Sequence, residues 1–300
     1  MSKHFIQRSR HFGSEHQCDS GLCFLFRDGV SGNTLPSVQL RWRRHWPAAA
    51  IRALLMTTAE EATHAEDSSI DASVALCGAD ASVIFIGSHS VWKHYKASAS
   101  YYRELQILQQ LPARSGIVRL LSADSVAHVL QLEMHSCDLM RCILRNVNVN
   151  QKRIITTLVD GLHHCHLRGL VHRDLKLENI LVSSGSTAVL CDFARSMWAP
   201  EPCLAPPGGT LVYMAPEACL GICAQQNDIW SLGIVLYCLV ERSFPWDYED
   251  SLKLQTPTFT CDMWSRTWKV QLRLLMNGLF TWDWQHRIGI KSVQMGLSFK

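Results

Sequence analysis

The fold of this 300-residue sequence is decided by one stretch, His172-Arg173-Asp174-Leu175-Lys176-Leu177-Glu178-Asn179. It places a carboxylate at Asp174 and an amide five residues later at Asn179, on one compact loop. A carboxylate can accept a hydroxyl proton and an amide oxygen can hold a metal ion, and phosphoryl transfer needs both. Lys176 can reach a transferring phosphate from the same loop. The alternative is a polar turn in which Asp174 and Asn179 only cap a helix. It is disfavoured because all eight residues of the stretch fit the catalytic pattern.

Length and composition describe a globular chain with enough apolar residues for a sizeable core, at 47% hydrophobic and 18% charged. The net charge of +3 is too mild to imply nucleic acid. The longest apolar stretch, Ile229 to Val240, is too short to span a bilayer, so we expect no membrane anchor. The twelve cysteines lack zinc-site spacing and follow no secretory signal. We therefore expect reduced thiols and an intracellular location, in the cytoplasm, the nucleus or both.

Residues 1–70 show no sustained period, and we interpret them as an N-terminal extension that is partly disordered or serves for docking. Their most distinctive feature is the basic-aromatic cluster Arg41-Trp42-Arg43-Arg44-His45-Trp46. Nucleic-acid binding or nuclear targeting is one interpretation of this cluster. A solvated basic patch or a docking segment is the favoured one. A helix is conceivable over 48–65.

Residues 71–300 form the predicted main domain, with an N-lobe at 71–135 and a C-lobe at 136–300. The first part alternates short strand-like runs with one helical stretch, whereas the second part has long helical patterns. The runs are strands at 83–86, 90–92, 117–121 and 128–132, a helix at 101–111, and later helices at 154–165 and 228–241. The proline-rich residues 199–209 predict an extended surface loop. A strand-rich part followed by a helical part predicts an α+β fold of two subdomains with a cleft between them.

Three further motifs follow the first stretch in order: Cys191-Asp192-Phe193-Ala194, Ala215-Pro216-Glu217 and Asp228-Ile229-Trp230-Ser231-Leu232-Gly233. Together they make the region from about 74 to 290 resemble the eukaryotic-type protein kinase family. Lys176 is similar to the lysine of serine/threonine kinases rather than tyrosine kinases. The resemblance implies a bilobal protein kinase fold with a small β-rich N-lobe carrying one helix and a larger helical C-lobe. It also implies an ATP- and Mg²⁺-dependent enzyme that phosphorylates serine or threonine in protein substrates.

The resemblance assigns catalytic roles to the first stretch and to the aspartate that follows it. Asp174 would position the acceptor hydroxyl and Lys176 would neutralise phosphate charge, while Asn179 and Asp192 would be metal ligands. Ala194 stands where the family usually has glycine, which narrows the backbone angles available to this segment. The metal ligand itself is retained.

Other residues have structural or regulatory roles by the same resemblance. Glu217 is expected to pair with Arg287, and Asp228 to hold the backbone of the catalytic loop. Thr210 is similar to a threonine that bridges the catalytic aspartate and lysine. Ser196 is then the one well-placed phosphoacceptor of its loop, and we expect activation not to require phosphorylation there.

Val91-Trp92-Lys93 resembles the strand that carries the nucleotide lysine of the family. Glu104 lies on the apolar face of the following helix, where a carboxylate is costly unless it is paired. Lys93 is the favoured partner, with Lys96 as the rival, and we assign Lys93 and Glu104 to the catalytic set. The short interval between Lys93 and Glu104 resembles the compact N-lobes of herpesvirus serine/threonine kinases, which implies a viral protein acting in a host cell.

The phosphate-covering loop of the family is degenerate in this sequence. Its expected Gly-x-Gly-x-x-Gly-x-Val pattern aligns with Leu76-Cys77-Gly78-Ala79-Asp80-Ala81-Ser82-Val83, and one glycine, Gly78, remains. Small side chains partly preserve the close approach of backbone amides to phosphate, whereas Asp80 adds a negative charge. We assign this segment to ATP binding, together with Lys93 and with Glu133 and His135 of the connection between the lobes. Leu132 would border the adenine pocket and Asp138 would approach the ribose.

Two interpretations of function remain at this point. The favoured one is an active kinase whose partners are ATP and protein substrates. The alternative is a catalytically weak pseudokinase that acts as a binding scaffold, which the degenerate loop and Ala194 favour and the complete catalytic set opposes. Neither interpretation involves a membrane, nucleic acid is a weak third possibility through residues 1–70, and the sequence carries no signal for an oligomeric state.

Overall fold

The structure is a computed structural model that describes residues 72–77, 81–86, 90–111, 116–183, 185–245 and 275–297. For residues 72–77 and 84–86 it describes the backbone alone. The extension at 1–70, with its basic-aromatic cluster and the helix considered at 48–65, lies outside the described residues. The same holds for the turn expected at Gly87-Ser88. The domain boundaries at 70 and 135 stay predictions.

A five-stranded antiparallel sheet and one helix make up the first lobe. The strands are β1 (Ala72–Cys77), β2 (Ala81–Ile86), β3 (Ser90–Tyr95), β4 (Leu120–Asp124) and β5 (Val129–Glu133). Their order is β1-β2-β3-β5-β4, so β3 is the central strand. Helix α1 (Ser98–Gln110) follows β3 and buries Glu104 together with its apolar face. The sheet therefore places β3 and the helix side by side, which is the arrangement that the Lys93–Glu104 pair requires.

One strand prediction in this lobe is partly wrong. The sequence predicts a strand at 117–121, but β4 begins at Leu120, and Ile117 makes a single parallel bridge to Leu190. The backbone NH of Val118 donates to the carbonyl of Leu190 at 2.9 Å, and the NH of Leu190 donates to Gly116 at 2.9 Å. Gly116 has a φ of +95°. The chain bends there to bond with the second lobe, so Ile117 and Val118 are not available to the sheet.

The second lobe is helical and holds most of the buried apolar side chains. Its helices are α2 (Leu139–Leu144), α3 (Gln151–His166), α4 (Pro216–Cys219), α5 (Gln225–Glu241) and α6 (Ile290–Leu297), with a further helical segment at 275–279. Apolar residues recur every three or four positions along α3, and the side chain of Asn150 caps its first turn by accepting from the NH of Arg153 at 3.0 Å. Helix α5 is buried nearly all round, as its composition predicts.

Short strands flank the motif loops in the second lobe. A three-stranded sheet joins β6 (Cys137–Asp138), β8 (Ile180–Ser183) and β9 (Thr187–Leu190). Two-stranded pairs join β7 (Leu170–Val171) with β10 (Met197–Trp198), and β11 (Cys203–Leu204) with β12 (Ile222–Cys223). The catalytic stretch lies between β7 and β8, and the Asp192 motif follows β9.

The predicted α+β, bilobal fold is confirmed. Residues 199–209 are extended as expected, and Cys203–Leu204 adds only a two-residue edge pairing. Within the described part of the chain, no helix has the length and apolar character that crossing a membrane would need. The β-rich lobe and the helical lobe are joined by the residues that follow β5, and the site lies in the cleft beside this connection.

Candidate active site

The cleft between the lobes holds a cavity of about 230 Å³. Sequence-predicted residues of both lobes line it: Val83, Lys93, Leu132, Glu133, His135, Asp138, Asn179 and Asp192. Other lining residues come from the same strands and loops: Val91, Val118, Ser136, Cys137, Arg141, Glu178, Leu181 and Cys191. The structure thus brings the nucleotide lysine, the connecting segment and both candidate metal ligands to one cavity.

A buried ion cluster forms the inner end of this cleft. The ammonium of Lys93 donates to Oε2 of Glu104 and to Oδ1 of Asp192, each at 2.8 Å. Glu104 is fully buried and Lys93 is 8% exposed. Burial alone would lower the pKa of Lys93, but the charges of Glu104 and Asp192 hold it above its usual value. Lys93, rather than the exposed Lys96, is therefore the residue that the structure pairs with Glu104.

Tyr95 is a member of this cluster that the sequence interpretation missed. Its hydroxyl donates to Oε2 of Glu104 at 2.6 Å, and Lys93 Nζ lies 5.1 Å from the centroid of its ring. Burial and the Glu104 charge raise the pKa of Tyr95. Residues two apart on a strand share a face, so the position of Tyr95 relative to Lys93 is the signal that would have found it.

Asp192 is the cluster member that stays open to the cleft, with 37% of its side chain exposed. Burial acts to raise its pKa, but the charge and the hydrogen bond of Lys93 hold it below the usual value for a carboxyl. Asp192 has a φ of +63°, a strained backbone conformation for an aspartate. The carboxylate is thus ionised and aimed by the fold at the cavity.

Phe193 fixes the segment that follows Asp192. Its backbone NH donates to Oε1 of Glu104 at 3.1 Å, and its fully buried ring lies 5.0 Å from the ring of His172. Ala194 is not among the described residues with positive φ, so the alanine that replaces glycine costs no left-handed strain here. Its carbonyl accepts from Arg103 of α1 at 3.1 Å. Helix α1 and the Asp192 motif are therefore tied to each other in this conformation.

The catalytic stretch presents Asp174 inside a small polar network. Thr210 donates from its hydroxyl to Oδ1 of Asp174 at 2.9 Å, and Lys176 Nζ lies 3.2 Å from Oδ2. Lys176 also donates to the hydroxyl of Thr210 at 2.9 Å. The amide of Asn179 donates to the backbone carbonyl of Asp174 at 2.8 Å, which leaves its oxygen for another partner. The predicted bridge through Thr210 is present.

Asp228 binds the backbone of this stretch through two hydrogen bonds. Its Oδ2 accepts from the NH of His172 at 2.8 Å, and its Oδ1 accepts from the NH of Arg173 at 2.9 Å. Oδ2 also lies 2.9 Å from Nε2 of His166. Burial acts to raise the pKa of Asp228, and these partners hold it below the usual value. Arg173 has a φ of +67°, so the two hydrogen bonds restrain a strained residue next to Asp174.

Ser196 is placed differently from the sequence prediction. It was the expected phosphoacceptor of its loop, but it is 1% exposed and its hydroxyl donates to the carbonyl of His172 at 3.0 Å. In this conformation no kinase can reach it. The guanidinium of Arg173 donates to the carbonyl of Pro206 at 2.6 Å, so it is hydrogen-bonded to the backbone of the proline-rich loop. The expectation that activation needs no loop phosphorylation stays a prediction.

Glu217 and Arg287 form a second buried ion pair far from the cleft. The guanidinium donates to Oε1 at 2.6 Å and to Oε2 at 3.0 Å. Asn227 adds a hydrogen bond to Oε1 at 2.8 Å, and Arg287 stacks 4.9 Å from the ring centroid of Trp230. The pair joins α4 to the chain just before α6, as the sequence predicts, and it is structural.

The phosphate-covering segment is described in part. Residues 78–80, including Gly78 and Asp80, lie outside the described residues. On either side, Leu76 pairs with Val83 and Cys77 with Ser82, so the two strands converge on that position. Ala81 is buried, and Val83 reaches the cavity and pairs with Lys93 in the sheet. The described end of the segment, Ala81 to Val83, therefore lies next to the lysine in the sheet.

The residues present fit a nucleotide and a magnesium ion. Two cavity-lining side chains have a buried polar atom without a hydrogen-bond partner in the described structure, namely Nε2 of His135 and Oε2 of Glu178. Asn179 and Asp192 offer an amide oxygen and a carboxylate, and Mg²⁺ is commonly held by one or two such ligands together with phosphate oxygens. The described residues contain no cluster of three or more His, Cys, Asp or Glu side chains that would hold a metal without phosphate.

A larger cavity of about 680 Å³ lies behind the connection between the lobes. Its walls come from the end of α1, from β4 and from β9, including Leu108, Leu120 and Val189. Of the predicted site residues it touches only Glu133 and His135. We assign the active site to the smaller cavity because that cavity holds Lys93, Asp192 and Asn179.

Comparisons with known proteins agree with this geometry. The family described as "Protein kinase domain" matches residues 85–296. Testis-specific serine/threonine-protein kinase 5 of Mus musculus is 28% identical over 249 residues, which cover 82% of this chain and 61% of that protein. CBL-interacting protein kinase 8 of Oryza sativa subsp. japonica is 32% identical over 54% of this chain and 38% of its own length. The serine/threonine-protein kinase PEPKR2 of Arabidopsis thaliana is 31% identical over 50% of this chain and 33% of its own length.

The chain spans between 14% and 61% of the length of the curated relatives it matches. The likeness to herpesvirus kinases stays a prediction, since these three relatives come from a mammal and two plants. The family match covers well over half of the chain and includes all four motifs and the Lys93–Glu104 pair. This chain belongs to the eukaryotic-type protein kinase family.

Proposed function

We propose that this chain is an active protein kinase that transfers the γ-phosphoryl group of ATP to serine or threonine hydroxyls of protein substrates, with Mg²⁺ as the metal. One observation carries the proposal. Lys93, Glu104 and Asp192 are linked at 2.8 Å inside the same cleft that Asn179 lines, with the Asp174–Lys176–Thr210 network on the neighbouring loop. The cation, the candidate metal ligands and the candidate acceptor-binding carboxylate that phosphoryl transfer needs are therefore on adjacent segments.

Asp174 positions the acceptor hydroxyl in this proposal. Its carboxylate is 7% exposed and is oriented by Thr210 and by the backbone contacts of Asp228. A substrate hydroxyl that reaches Oδ2 donates a hydrogen bond there, and the proton passes to the carboxylate as the bond to phosphorus forms. Lys176, 3.2 Å from the same oxygen, balances the negative charge on the transferring group.

Lys93 and the two candidate metal ligands hold the nucleotide. MgATP supplies the phosphoryl group and the metal that polarises it. Lys93 is oriented by Glu104 and Tyr95 so that its ammonium faces the cavity and can bind phosphate oxygens. Asn179 presents its oxygen because its NH₂ group is used by the carbonyl of Asp174. Only Oδ1 of Asp192 is bonded to Lys93, so Oδ2 would be available to hold the metal.

Selectivity for serine and threonine rests on Lys176 and Thr210. The lysine lies within hydrogen-bond distance of the threonine hydroxyl, and both contact Asp174. We infer that this bridge favours a serine or threonine hydroxyl at the carboxylate. The serine/threonine kinases among the relatives support the same assignment.

A scaffold without catalysis is the second candidate, and the single remaining glycine of residues 76–83 favours it. Loss of two glycines places side chains where backbone amides would approach phosphate. We favour activity because Ala79, Ala81 and Ser82 are small and because the ion cluster around Lys93 is complete. An intracellular site of action is part of the proposal, and it is supported by the free thiols of the eight described cysteines.

The test is transfer of labelled γ-phosphate to a generic serine/threonine protein, with ATP binding measured in parallel. We expect labelling that requires Mg²⁺ and disappears with a chelator. Magnesium-independent binding of ATP with no labelling at any substrate concentration would instead establish the scaffold. Labelled phosphotyrosine in place of phosphoserine or phosphothreonine would contradict the role of Lys176 and Thr210.

A further inference from the structure

The thiols of Cys137 and Cys142 are in contact beside the cleft, at the start of the second lobe. Cys137 belongs to β6 and lines the cavity, whereas Cys142 belongs to α2 and is 1% exposed. Their Sγ atoms lie 2.6 Å apart. A disulfide has a bond of about 2.05 Å, so small side-chain movements are enough to join this pair. We propose that Cys137 and Cys142 form a peroxide-reactive thiol pair that closes to a disulfide in the nucleotide cleft.

Cys137 is the thiol that reacts first. It lines an open cavity, so a small oxidant can reach it, while Cys142 is enclosed behind it. Its contact with Cys142 lowers the pKa of Cys137, against the effect of burial, and Ser136 and Arg141 add to the lowering. The same contact raises the pKa of Cys142. The pair therefore favours a thiolate at Cys137, which faces the cavity, with a thiol at Cys142 beside it.

The reaction balances with a hydroperoxide as the oxidant. The Cys137 thiolate attacks the terminal peroxide oxygen, so that an S–O bond forms, the O–O bond breaks, and the alkoxide leaves with a proton as an alcohol, or as water when the oxidant is hydrogen peroxide. Cys137 is oxidised to a sulfenic acid and the peroxide is reduced. The Cys142 sulfur then attacks the Cys137 sulfur, the S–OH bond breaks, and the hydroxide departs as water with the Cys142 proton.

A second pair of cysteines in the described residues provides a contrast. Cys203 and Cys223 stand opposite each other in register between β11 and β12. Cys223 is 2% exposed, and burial raises its pKa to about 11. Its thiolate is therefore scarce near neutral pH. We expect this pair to oxidise more slowly than Cys137 and Cys142, so that it serves as an internal reference for the dose of peroxide.

The sequence makes the disulfide easy to detect. Arg141 lies between the two cysteines, so trypsin separates them into peptides 120–141 and 142–145. A disulfide joins these two peptides into one mass, and reduction splits it. The measurement uses the full chain with dilute hydrogen peroxide and requires no kinase activity, so its result is independent of the proposed function.

We expect the joined mass to appear in the wild type and to be lost in Cys137→Ser and in Cys142→Ser. The matched control is Cys191→Ser, which alters another cysteine of the same cavity and should keep the link. In Cys142→Ser the sulfenic acid has no partner, so a dimedone adduct should accumulate on Cys137. Unfolding temperatures of the variants within a few degrees of the wild type exclude misfolding as the cause.

Three results would overturn the proposal. The first is a wild-type chain that yields no joined mass at a dose that already oxidises Cys203 and Cys223. The second is a link that persists in Cys137→Ser. The third is a dimedone adduct that forms on Cys191 as readily as on Cys137 in the Cys142→Ser variant.

Discussion

Two buried ion clusters of this protein each pair a carboxylate with a cation, but they differ in the hydrogen-bonding capacity that they leave unsatisfied. In the C-lobe, both carboxylate oxygens of Glu217 are bonded by Arg287, and the guanidinium also donates to backbone carbonyls of Gln226 and Thr281. In the cleft, Lys93 joins Glu104 to Asp192, and the Asp192 side chain remains 37% exposed. The first cluster is saturated, because all of its hydrogen-bonding groups are paired within the protein, and it stabilises the fold. The second is open, because a carboxylate oxygen of Asp192 and the ammonium of Lys93 can still bind a ligand.

The difference explains why only one cluster is suited to chemistry. A buried ion pair whose hydrogen bonds are complete gains nothing from a new partner, and removing one member leaves an uncompensated charge. A cluster at a cavity wall can exchange partners, because its second carboxylate oxygen and its ammonium face the space that a nucleotide would fill. The predictions below alter one cluster at a time.

The largest expected effect is on stability, from Glu217→Ala in the saturated cluster. Arg287 would stay buried at 3% exposure without its carboxylate, which costs about 3 to 5 kcal/mol of the free energy of unfolding. Chemical denaturation of the purified variant measures this loss. The control is Glu201→Ala at an exposed position, which should change the free energy little. Equal stabilities for both variants would contradict the structural role of the pair.

The second effect is on activity, from Lys93→Met in the open cluster. We expect kcat/KM for ATP to fall about 100- to 1000-fold, because one preorganised cation is removed from the phosphates. The variant should be less stable than the wild type, because buried Glu104 loses its cation. It should stay folded, since the thioether can fill the space of the lysine stem and Tyr95 still donates to Glu104. Lys96→Met is the matched control and should keep activity, because Lys96 is exposed and lies outside the described cavity. Loss of activity in Lys96→Met, with activity kept in Lys93→Met, would mean that Lys96 binds the nucleotide.

A smaller effect is expected from Tyr95→Phe, which removes only the hydroxyl that orients Glu104. Loss of a hydrogen bond to a charged group costs about 1.5 kcal/mol, roughly tenfold in kcat/KM for ATP. Tyr102→Phe on α1, where the side chain is 50% exposed, is the control for loss of a tyrosine hydroxyl. If both variants match the wild type in steady-state kinetics, Tyr95 is only a packing residue.

The smallest effect is expected outside both clusters, at Ser196. Ser196→Ala removes one neutral hydrogen bond to the carbonyl of His172, worth about 1 kcal/mol, and should keep phosphotransfer near the wild-type rate. Ser196→Asp should lose activity, because it places a charge at a position that is 1% exposed. An inactive Ser196→Ala together with an active Ser196→Asp would show that loop phosphorylation is required after all.

The parts of the site that the sequence predicts are those whose partners are close along the chain or follow a periodic pattern. Asp174, Lys176 and Asn179 lie within six residues, so their spacing alone places them on one loop. A carboxylate on an apolar helix face is costly unless it is paired, so Glu104 predicts a nearby cation. Lys93 of the neighbouring strand is that cation. The bilobal fold follows from the change from short strand-like runs to long helical patterns along residues 71–300.

The sequence does not predict contacts that depend on how distant segments meet. Ser196 carries no local sign of burial, since its partner is the carbonyl of His172, 24 residues earlier. The start of β4 shifts because Ile117 bonds to Leu190 in the other lobe. Cys137 and Cys142 are close in sequence, but their contact depends on the direct change from strand β6 to helix α2 rather than on any periodic pattern.

The most direct test of the central claim is phosphotransfer by Asp174→Ala beside the wild type, with ATP affinity measured on the same samples. The account predicts a fall in transfer of about 100- to 10,000-fold, with ATP affinity nearly unchanged, because Asp174 handles the acceptor hydroxyl and Lys93, Asn179 and Asp192 hold the nucleotide. Labelling of a serine/threonine substrate at the wild-type level by this variant would contradict it.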